Sequence, residues 1–286
     1  MITLSAPAKI NLTLEVLGKR PDGYHEIRSI MQTVSLADTL SFESAGQLSF
    51  GSDLPEWSPE KSIVSKAAAL LKEQTGAGNG ASIFIHKRVP LLSGLGGDSS
   101  DAAATLSGLN DLWRLGLSRS DLSSLGQRIG SDVVFFLYGG TALAEGRGEV
   151  VSPLPAVAHE WIVLALPPVP RLPGKTKSLY QALTANHYTD GQITRAAIRH
   201  IEAGRPLGRS TFFNTFENVA FTLQPELEVS RQHLVKMGAS NVHLTGSGPV
   251  LYVVCQSHPE AEDLATRLEG QRIVSYVVET LPSQYQ

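Results

Sequence analysis

The sequence predicts a chain of mixed α and β structure in two domains. Its 286 residues exceed the usual size of one compact core, which favours two domains over one. Predicted strands and helices alternate without an internal repeat, and this order favours α/β or α+β domains over a repeat protein. Two prolines interrupt the pattern at 150–156, between two apolar stretches, so the predicted domains are 1–154 and 155–286.

The first predicted domain begins with a strand. Ile10, Leu12 and Leu14 alternate with polar residues at the period of a half-buried strand, and Asp22 with Gly23 gives a strong turn signal after it. The elements predicted beyond this turn are a helix over 61–74, a strand over 82–89, and helices over about 101–113 and 119–129.

The second predicted domain alternates strands and helices as well. A strand over 161–166 ends at a proline-rich segment. The elements predicted beyond it are helices near 176–184, 191–202 and 225–237, a strand, glycine turn and strand over 241–255, a helix over about 258–269, and a strand near 272–279.

Composition limits the classes of partner. The net charge of −3 provides no general attraction to nucleic acid or to an anionic membrane, so any phosphate binding must be local. No signal-peptide pattern opens the sequence, and no apolar run approaches the ~20 residues that span a bilayer. We therefore expect a cytoplasmic protein with neither a nucleic-acid nor a membrane partner. The one cysteine, Cys255, lies in an apolar run and is expected to be buried and inert.

The segment 90–104 is a glycine-rich turn that runs directly into a predicted helix. Gly94, Gly96 and Gly97 can adopt backbone angles closed to other residues and leave no side chain in the way of a ligand. Free N–H groups and the dipole at such a helix start form an anion site, most often for phosphate. The loop has neither the Walker A ending nor the dinucleotide-binding spacing. A plain loop with a capped helix is the equal alternative from this segment alone.

Two further segments contain polar or charged side chains that could take part in binding or catalysis. The strand period places Lys9, Asn11 and Thr13 on the face opposite Ile10, where they could contact a phosphate or a reacting hydroxyl. The alternative is a solvated outer face. Asp132 follows a predicted helix stop and precedes an apolar run, so it is either a cap or turn residue or a partly buried base.

The turn after the first strand and a later glycine turn are the remaining candidates. Tyr24 offers a ring for stacking and His25 a donor or acceptor for a base edge, the alternative being a core tyrosine beside an exposed histidine. The turn 244–249 is either a tight hairpin or a source of backbone N–H groups for a ligand. The 8 histidines and the single cysteine lack metal-ligand spacing, so no structural zinc site is expected.

Together these segments resemble the GHMP kinase superfamily. Its three motifs correspond to Pro-Ala-Lys-Ile-Asn-Leu at 7–12, the loop 90–104, and Thr-Gly-Ser-Gly-Pro at 245–249. Arg-Pro-Asp-Gly-Tyr-His-Glu at 20–26 is similar, within that superfamily, to the 4-diphosphocytidyl-2-C-methyl-D-erythritol kinase family. The segments 130–133, 144–148 and 175–180 fall in the order that this family shows, so the resemblance spans nearly the whole chain.

The resemblance implies a fold and a reaction. The fold is the α+β two-domain GHMP kinase fold, with an N-terminal ribosomal-protein-S5-like α/β domain, a C-terminal ferredoxin-like α/β domain, and the active site in the cleft between them. The reaction moves the γ-phosphoryl of ATP, with Mg²⁺ expected, onto the 2-hydroxyl of 4-(cytidine 5'-diphospho)-2-C-methyl-D-erythritol, a step of the non-mevalonate route to isoprenoid and terpenoid precursors. The alternatives are a homoserine-type or mevalonate-type GHMP kinase, or a nucleotide-binding protein without catalysis.

The resemblance also implies roles for individual residues. Asp132 would be the base, with Lys9 beside it as charge partner, and Asn11 would hold the methylerythritol hydroxyls. The cytosine would be held by three residues: Tyr24, His25 and Tyr180. The ATP phosphates would lie on the loop formed by Pro90, Leu91, Leu92, Ser93, Gly94, Leu95, Gly96, Gly97, Asp98, Ser99 and Ser100. No metal ligand is assigned, although Ser100 is a candidate contact for Mg²⁺, and no oligomeric state is predicted.

The chain departs from the family pattern at three places. Asp98 stands where a third glycine is usual, and its charge would repel ATP phosphates unless it points away, caps the helix that follows the loop or meets Mg²⁺. Leu92 and Ser93 stand where small residues are common. Asn214 and Thr215 stand in place of the usual Asn-Asp pair. This departure weakens any role for that turn.

Overall fold

The computed structural model describes residues 1–171 and 174–283, and it divides the chain into two compact units. The first unit comprises Met1–Ala8, Leu36–Leu91 and Gly96–Gly139, and the second comprises Lys9–Ser35, Leu92–Leu95 and Gly140–Gln286. Because the two longest strands contribute residues to both, the units are interleaved along the sequence. The division at 154 and 155 stays a prediction.

The first unit is a sheet with helices packed on it. Its strands are the beginning of β1 (Ile2–Lys19), the end of β2 (His25–Ala45), β3 (Ser49–Ser52) and β4 (Gly80–His86). Strand β4 pairs antiparallel with β2 and parallel with β3. Its helices are α1 (Ile63–Thr75), α2 (Gly97–Trp113), α3 (Arg119–Ile129) and α4 (Ser131–Tyr138).

Helix α2 occupies the centre of this unit because its residues are small or apolar at helical spacing. Ala102, Leu106 and Leu109 are fully buried. Gly108 lets the helix approach the sheet closely, since a Cβ there would lie 2.5 Å from the Phe42 ring. The predicted helix is therefore confirmed, although it begins at Gly97 rather than near 101.

The second unit holds the rest of β1 and β2 and a separate sheet. The first part of β2 pairs antiparallel with β5 (Thr141–Gly146), which pairs with β6 (Val150–Pro153), and β1 pairs in parallel with β8 (Phe213–Asn214). The separate sheet has the order β11-β7-β10-β9, formed by β7 (Trp161–Leu166), β9 (His243–Leu244), β10 (Leu251–Cys255) and β11 (Val274–Glu279). Its strands pair antiparallel.

Five helices are described in the second unit within 174–283. They are α5 (Lys175–Ala182), α6 (Gln192–Glu202), α7 (Glu217–Leu223), α8 (Pro225–Lys236) and α9 (His258–Gly270). The apolar faces of α5, α7, α8 and α9 share one core with the sheet, including Leu179, Leu227, Leu251 and Leu264. The sequence anticipated four of the five helices but not α7, which has only seven residues. Cys255 is buried, as predicted.

The face of β1 opposite Ile10 is buried, so the solvated alternative is wrong. Lys9 and Asn11 are each 4% exposed and Thr13 is 0% exposed. Helix α6 covers part of this face, because Oγ1 of Thr194 donates to Oγ1 of Thr13 at 2.9 Å. Period-two alternation identifies the two faces of a strand, but it does not show that a later helix covers the polar one. Among the described helices, none is long and apolar enough to cross a membrane.

Candidate active site

A row of polar side chains lies buried along the middle of β1. Nζ of Lys9 donates a hydrogen bond to Oδ1 of Asn11 at 2.7 Å, and Nδ2 of Asn11 donates to Oγ of Ser29 at 2.8 Å. Ser29 donates in turn to the carbonyl oxygen of Thr13 at 2.6 Å. Because both ends of the Asn11 amide are engaged, its oxygen is held against the amine of Lys9.

Two glycine-containing loops meet beside this row. Gly94 has a φ of +85°, and a Cβ there would lie 2.5 Å from the carbonyl oxygen of Thr245. A Cβ on Gly246 would lie 3.0 Å from the carbonyl oxygen of Gly94 and 3.1 Å from Nζ of Lys9. Glycine at both positions therefore allows the two backbones to pack together and against the Lys9 amine.

Asn214 holds the second of these loops, 245–249, in place. Its Nδ2 donates to the carbonyl oxygens of Leu244 and Gly246, both at 2.8 Å, and its Oδ1 accepts from the N–H of Phe216 at 3.0 Å. No role for Asn214 is predicted from the sequence. The available signal was an amide inside the aromatic run Phe-Phe-Asn-Thr-Phe, because a polar side chain buried among rings must find partners.

The start of the glycine loop belongs partly to each unit. Pro90 and Leu91 lie in the first unit, whereas Leu92–Leu95 lie in the second. Leu92 is 55% exposed with a φ of +53°, and the carbonyl oxygen of Ser93 accepts from the N–H of Val250 at 3.2 Å. Leu95 is fully buried and its carbonyl oxygen accepts from the N–H of Lys9 at 2.9 Å.

The end of the loop forms the N-terminus of α2. Gly96 has a φ of +74°. A Cβ on Gly97 would lie 2.9 Å from Cγ1 of Val89, so the first residue of the helix is in close contact with Val89. The first N–H groups of a helix have no partner within it and can bind an anion. Oγ of Ser100, in this first turn, is buried and has no hydrogen-bond partner among the described residues. Ser99 lies between these positions and is half-buried.

The carboxylate of Asp98 caps a different helix. Its Oδ1 accepts from Oγ of Ser62 at 2.5 Å, and its Oδ2 accepts from the N–H of Ile63 at 3.1 Å. Ile63 is the first residue of α1, where a negative charge is favourable. Asp98 therefore does not cap α2, the helix that the loop begins, because its carboxylate is engaged by Ser62 and Ile63 of α1 instead.

Asp132 is the second residue of α4, directly after Gly130 at the helix start. It is half-buried, and the apolar residues that follow it, Val133 and Phe135 among them, are buried in the first unit. The N-terminal end of a helix stabilises an ionised carboxylate. Asp132 belongs to the first unit and Lys9 to the second, and the pairing implied for them stays a prediction.

The structure brings His25 and Tyr180 together. Their rings stack with centroids 4.7 Å apart and planes 17° from parallel, and Phe216 meets Tyr180 edge-on at 4.9 Å. Tyr188 meets His25 edge-on at 6.0 Å. Burial and the nearby charge of Lys19 lower the pKa of His25, which keeps its imidazole neutral at pH 7. Phe216 and Tyr188 were not anticipated.

Tyr24 has a different environment from His25. It is 56% exposed, and the guanidinium of Arg147 lies 4.9 Å from the centre of its ring. Its N–H donates to Oδ1 of Asp22 at 3.0 Å, which closes the turn predicted from the Asp-Gly sequence. The ring is thus presented at the surface of the second unit.

A buried ionic cluster that the sequence pattern does not predict lies at the start of α2. Nζ of Lys87 donates to Oδ2 of Asp101 at 2.7 Å and to Oδ2 of Asp38, and all three side chains are at most 2% exposed. Burial raises the pKa of Asp101 to about 8, and the charge of Lys87, which lowers it, offsets only part of this effect. Desolvation opposes the charge on Lys87, but the attraction of Asp101 and Asp38 outweighs it and raises the pKa of Lys87.

Comparisons with known proteins show the family of this chain. The model for the GHMP kinases N terminal domain matches residues 62–140, and the model for the GHMP kinases C terminal domain matches 194–272. A 4-diphosphocytidyl-2-C-methyl-D-erythritol kinase of Dehalococcoides mccartyi is 48% identical over 98% of this chain and 99% of its own. The chain belongs to the 4-diphosphocytidyl-2-C-methyl-D-erythritol kinase family.

Solved structures agree with membership in the 4-diphosphocytidyl-2-C-methyl-D-erythritol kinase family. A crystal structure of 4-(cytidine 5'-diphospho)-2C-methyl-D-erythritol kinase matches with a TM-score of 0.83 and 31% identity, over 98% of this chain and 99% of that one. An L. major mevalonate kinase in complex with R-mevalonate matches with a TM-score of 0.72 and 18% identity, over 99% and 96% of the chains, and shares the fold alone. The predicted GHMP kinase fold is confirmed. Members of this family use ATP as the phosphoryl donor.

Proposed function

We propose that this chain transfers the γ-phosphoryl of ATP to the 2-hydroxyl of 4-(cytidine 5'-diphospho)-2-C-methyl-D-erythritol, giving the 2-phosphate and ADP. The observation that carries the proposal is a pair of features in the second unit. It holds a buried amine positioned by an amide, Lys9 on Asn11 at 2.7 Å, and a stacked pair of rings, His25 on Tyr180. These groups suit a substrate with a reacting polyol at one end and a pyrimidine at the other.

Lys9 and Asn11 would act on the polyol end. Phosphoryl transfer requires mainly positioning and neutralisation of charge, because the protein does little covalent chemistry. The Lys9 ammonium would offset the negative charge that develops on the transferring group. Asn11 accepts from Lys9 and donates to Ser29, so its amide has a single orientation toward the hydroxyls of the substrate.

The aromatic pair would hold the cytosine. A neutral His25 can both donate and accept, which suits the edge of a pyrimidine, and the rings around it provide faces for stacking. Tyr24, with Arg147 over its ring, would close the site from the surface side. The edge-on rings of Phe216 and Tyr188 would serve only to hold Tyr180 and His25 in place.

Asp132 would take the proton of the attacking hydroxyl. A carboxylate can accept a hydroxyl proton, and Asp132 lies in the first turn of α4. Lys9 would be its charge partner. This pairing rests on the family resemblance.

The glycine loop and the start of α2 would hold the ATP phosphates through backbone N–H groups. The buried Oγ of Ser100, which lacks a partner among the described residues, fits an oxygen contact to Mg²⁺ or phosphate. No group of three His, Cys, Asp or Glu residues in 1–171 and 174–283 could hold a metal by itself. When bound with ATP, Mg²⁺ would neutralise phosphate charge. We place the reaction in the cytoplasm, in the non-mevalonate route to isoprenoids.

A coupled ADP-release assay tests this function. We expect Mg²⁺-dependent ADP formation with the cytidyl substrate and none with homoserine or mevalonate. Turnover of either of those two alcohols in place of the cytidyl substrate would contradict the assignment, and ATP binding without any turnover would favour a non-catalytic protein.

Asp132→Asn tests the base. We expect this variant to fold and to bind ATP but to lose at least ~100-fold in kcat, the lower range for a positioned base. Glu226→Gln is the matched control, because Glu226 is an exposed carboxylate in the first turn of α8. Near-normal turnover by Asp132→Asn would remove Asp132 from the mechanism.

A further inference from the structure

A lysine with a buried, unpartnered amine begins α5. Nζ of Lys175 is inaccessible to water and has no hydrogen-bond partner among the residues that the structure describes. Burial lowers the pKa of this amine to about 8. A cation removed from water is costly unless a counter-charge meets it, so this position calls for an anion that the described protein does not supply.

The neighbours of Lys175 connect it to the polyol end of the proposed site. Oγ1 of Thr176 donates to Oγ of Ser247 at 2.9 Å. Ser247 follows Gly246, whose Cβ position would lie 3.1 Å from Nζ of Lys9. The first turn of α5 is therefore attached to the loop that borders the Lys9 amine.

The same helix reaches the pyrimidine end. Tyr180, five residues after Lys175, stacks on His25. At 1.5 Å of rise per residue, the two positions are separated by about 7.5 Å along the helix axis. In a ligand with its base on His25 and its polyol near Lys9, the diphosphate between them would lie along the part of α5 between Lys175 and Tyr180.

We propose that Lys175 binds the diphosphate of the cytidyl substrate. The proposal rests on the function proposed above. The substrate is favoured over ATP as the source of the anion because α5 contributes Tyr180 to the aromatic pair. The ammonium of Lys175 donates to phosphate oxygens, which supply the counter-charge that the buried amine lacks.

Lys175→Met, which keeps the length and removes the charge, is the test. We expect KM for the cytidyl substrate to rise at least about tenfold, as for loss of a charged hydrogen bond, with KM for ATP within about twofold of wild type. Lys177→Met is the matched control, because Lys177 is an exposed lysine on the same helix, and it should leave both constants unchanged. Lys175→Arg should recover part of the loss, since it restores the charge.

Inhibition by cytidine and by CDP separates a direct contact from a structural effect. For Lys175→Met we expect CDP to weaken at least about tenfold as a competitive inhibitor while cytidine is unchanged, because cytidine has no phosphate. Wild-type KM and CDP affinity in this variant would overturn the proposal, as would equal weakening of cytidine and CDP. A rise in KM for ATP alone would indicate that the Lys175 amine binds the ATP phosphates, and it would also overturn the proposal.

The same inhibitors distinguish failure of this proposal from failure of the proposed function. If wild-type protein does not turn over the cytidyl substrate, the function is wrong. Titration calorimetry with CDP and cytidine on wild type and Lys175→Met then still reports whether the amine binds the diphosphate. Equal affinities of the two proteins for CDP would refute the contact.

Discussion

Lys87 and Lys175 are both lysines whose amines are withdrawn from water, one in each unit, and their surroundings are opposite. Lys87 meets two carboxylates, Asp38 and Asp101, whereas Lys175 meets no hydrogen-bond partner within the described residues. The pKa of Lys87 is raised and that of Lys175 is lowered to about 8. The two directions follow from the carboxyl groups that surround Lys87 and from burial without a described partner at Lys175.

The Lys87 cluster has a clear structural task. Lys87 directly follows β4, Asp38 lies in β2 and Asp101 lies in α2, so one amine joins two strands to the helix that begins with the glycine loop. A Cβ on Gly97 would lie 3.5 Å from Nζ of Lys87, so the cluster lies directly behind the loop. Its carboxylates compensate the amine, and no ligand is needed.

Removing the amine of each lysine gives the largest contrast. Lys87→Met leaves the buried carboxyl groups of Asp38 and Asp101 without a cation and should lower the free energy of unfolding by about 3–5 kcal/mol. Lys175→Met removes an uncompensated charge and should leave the unfolding free energy unchanged or raise it. Urea denaturation of both variants measures this. A loss of less than about 1 kcal/mol in Lys87→Met, well below the range for a broken buried ion pair, would show that the cluster is not needed for the fold.

The pH dependence of stability sharpens the comparison. Burial raises the pKa of Asp101 to about 8, above its value of about 3.9 in an unfolded chain. Between these values the folded protein holds a proton that the unfolded chain has released, so stability should fall as the pH rises from about 4 to 8, by less than about 1.4 kcal/mol per pH unit. Asp101→Asn should flatten this slope in urea titrations at several pH values. An unchanged slope would mean that Asp101 is ionised throughout.

Asp98 gives the smallest expected effect. Asp98→Ala removes the acceptor for Ser62 and for the N–H of Ile63, and should lower the unfolding free energy by about 1 kcal/mol, as for loss of a helix cap. KM for ATP should not rise, because the carboxylate serves α1. Thermal denaturation and ATP kinetics measure both. A several-fold rise in KM for ATP would instead give the side chain a direct part in nucleotide binding.

The sequence predicts those parts of the molecule that depend on local pattern. Helical spacing predicts α2 from Ala102, Leu106 and Leu109, and the Asp-Gly signal predicts the turn before Tyr24. The family motifs lead to Lys9, Asn11, His25 and Tyr180, of which His25 and Tyr180 stack on each other.

The parts that the sequence does not predict depend on distant contacts. Asp38, Lys87 and Asp101 are separated along the chain by 49 and 14 residues, and no spacing rule joins them. Burial of the polar face of β1 depends on Thr194, which lies 181 residues from Thr13. Asn214 lies where the chain departs from the family's Asn-Asp pair, and its role follows from the loop that it holds.

Because Asp98 caps α1, the glycine loop and α1 depend on each other when segments are exchanged between relatives. A loop with glycine at this position, transplanted alone, would leave Oγ of Ser62 and the N–H of Ile63 to water. An α1 without a hydroxyl at position 62 would in turn leave the carboxylate of Asp98 freer to turn toward bound phosphates. Residues 62 and 98 therefore have to be exchanged together, although 36 positions separate them along the chain.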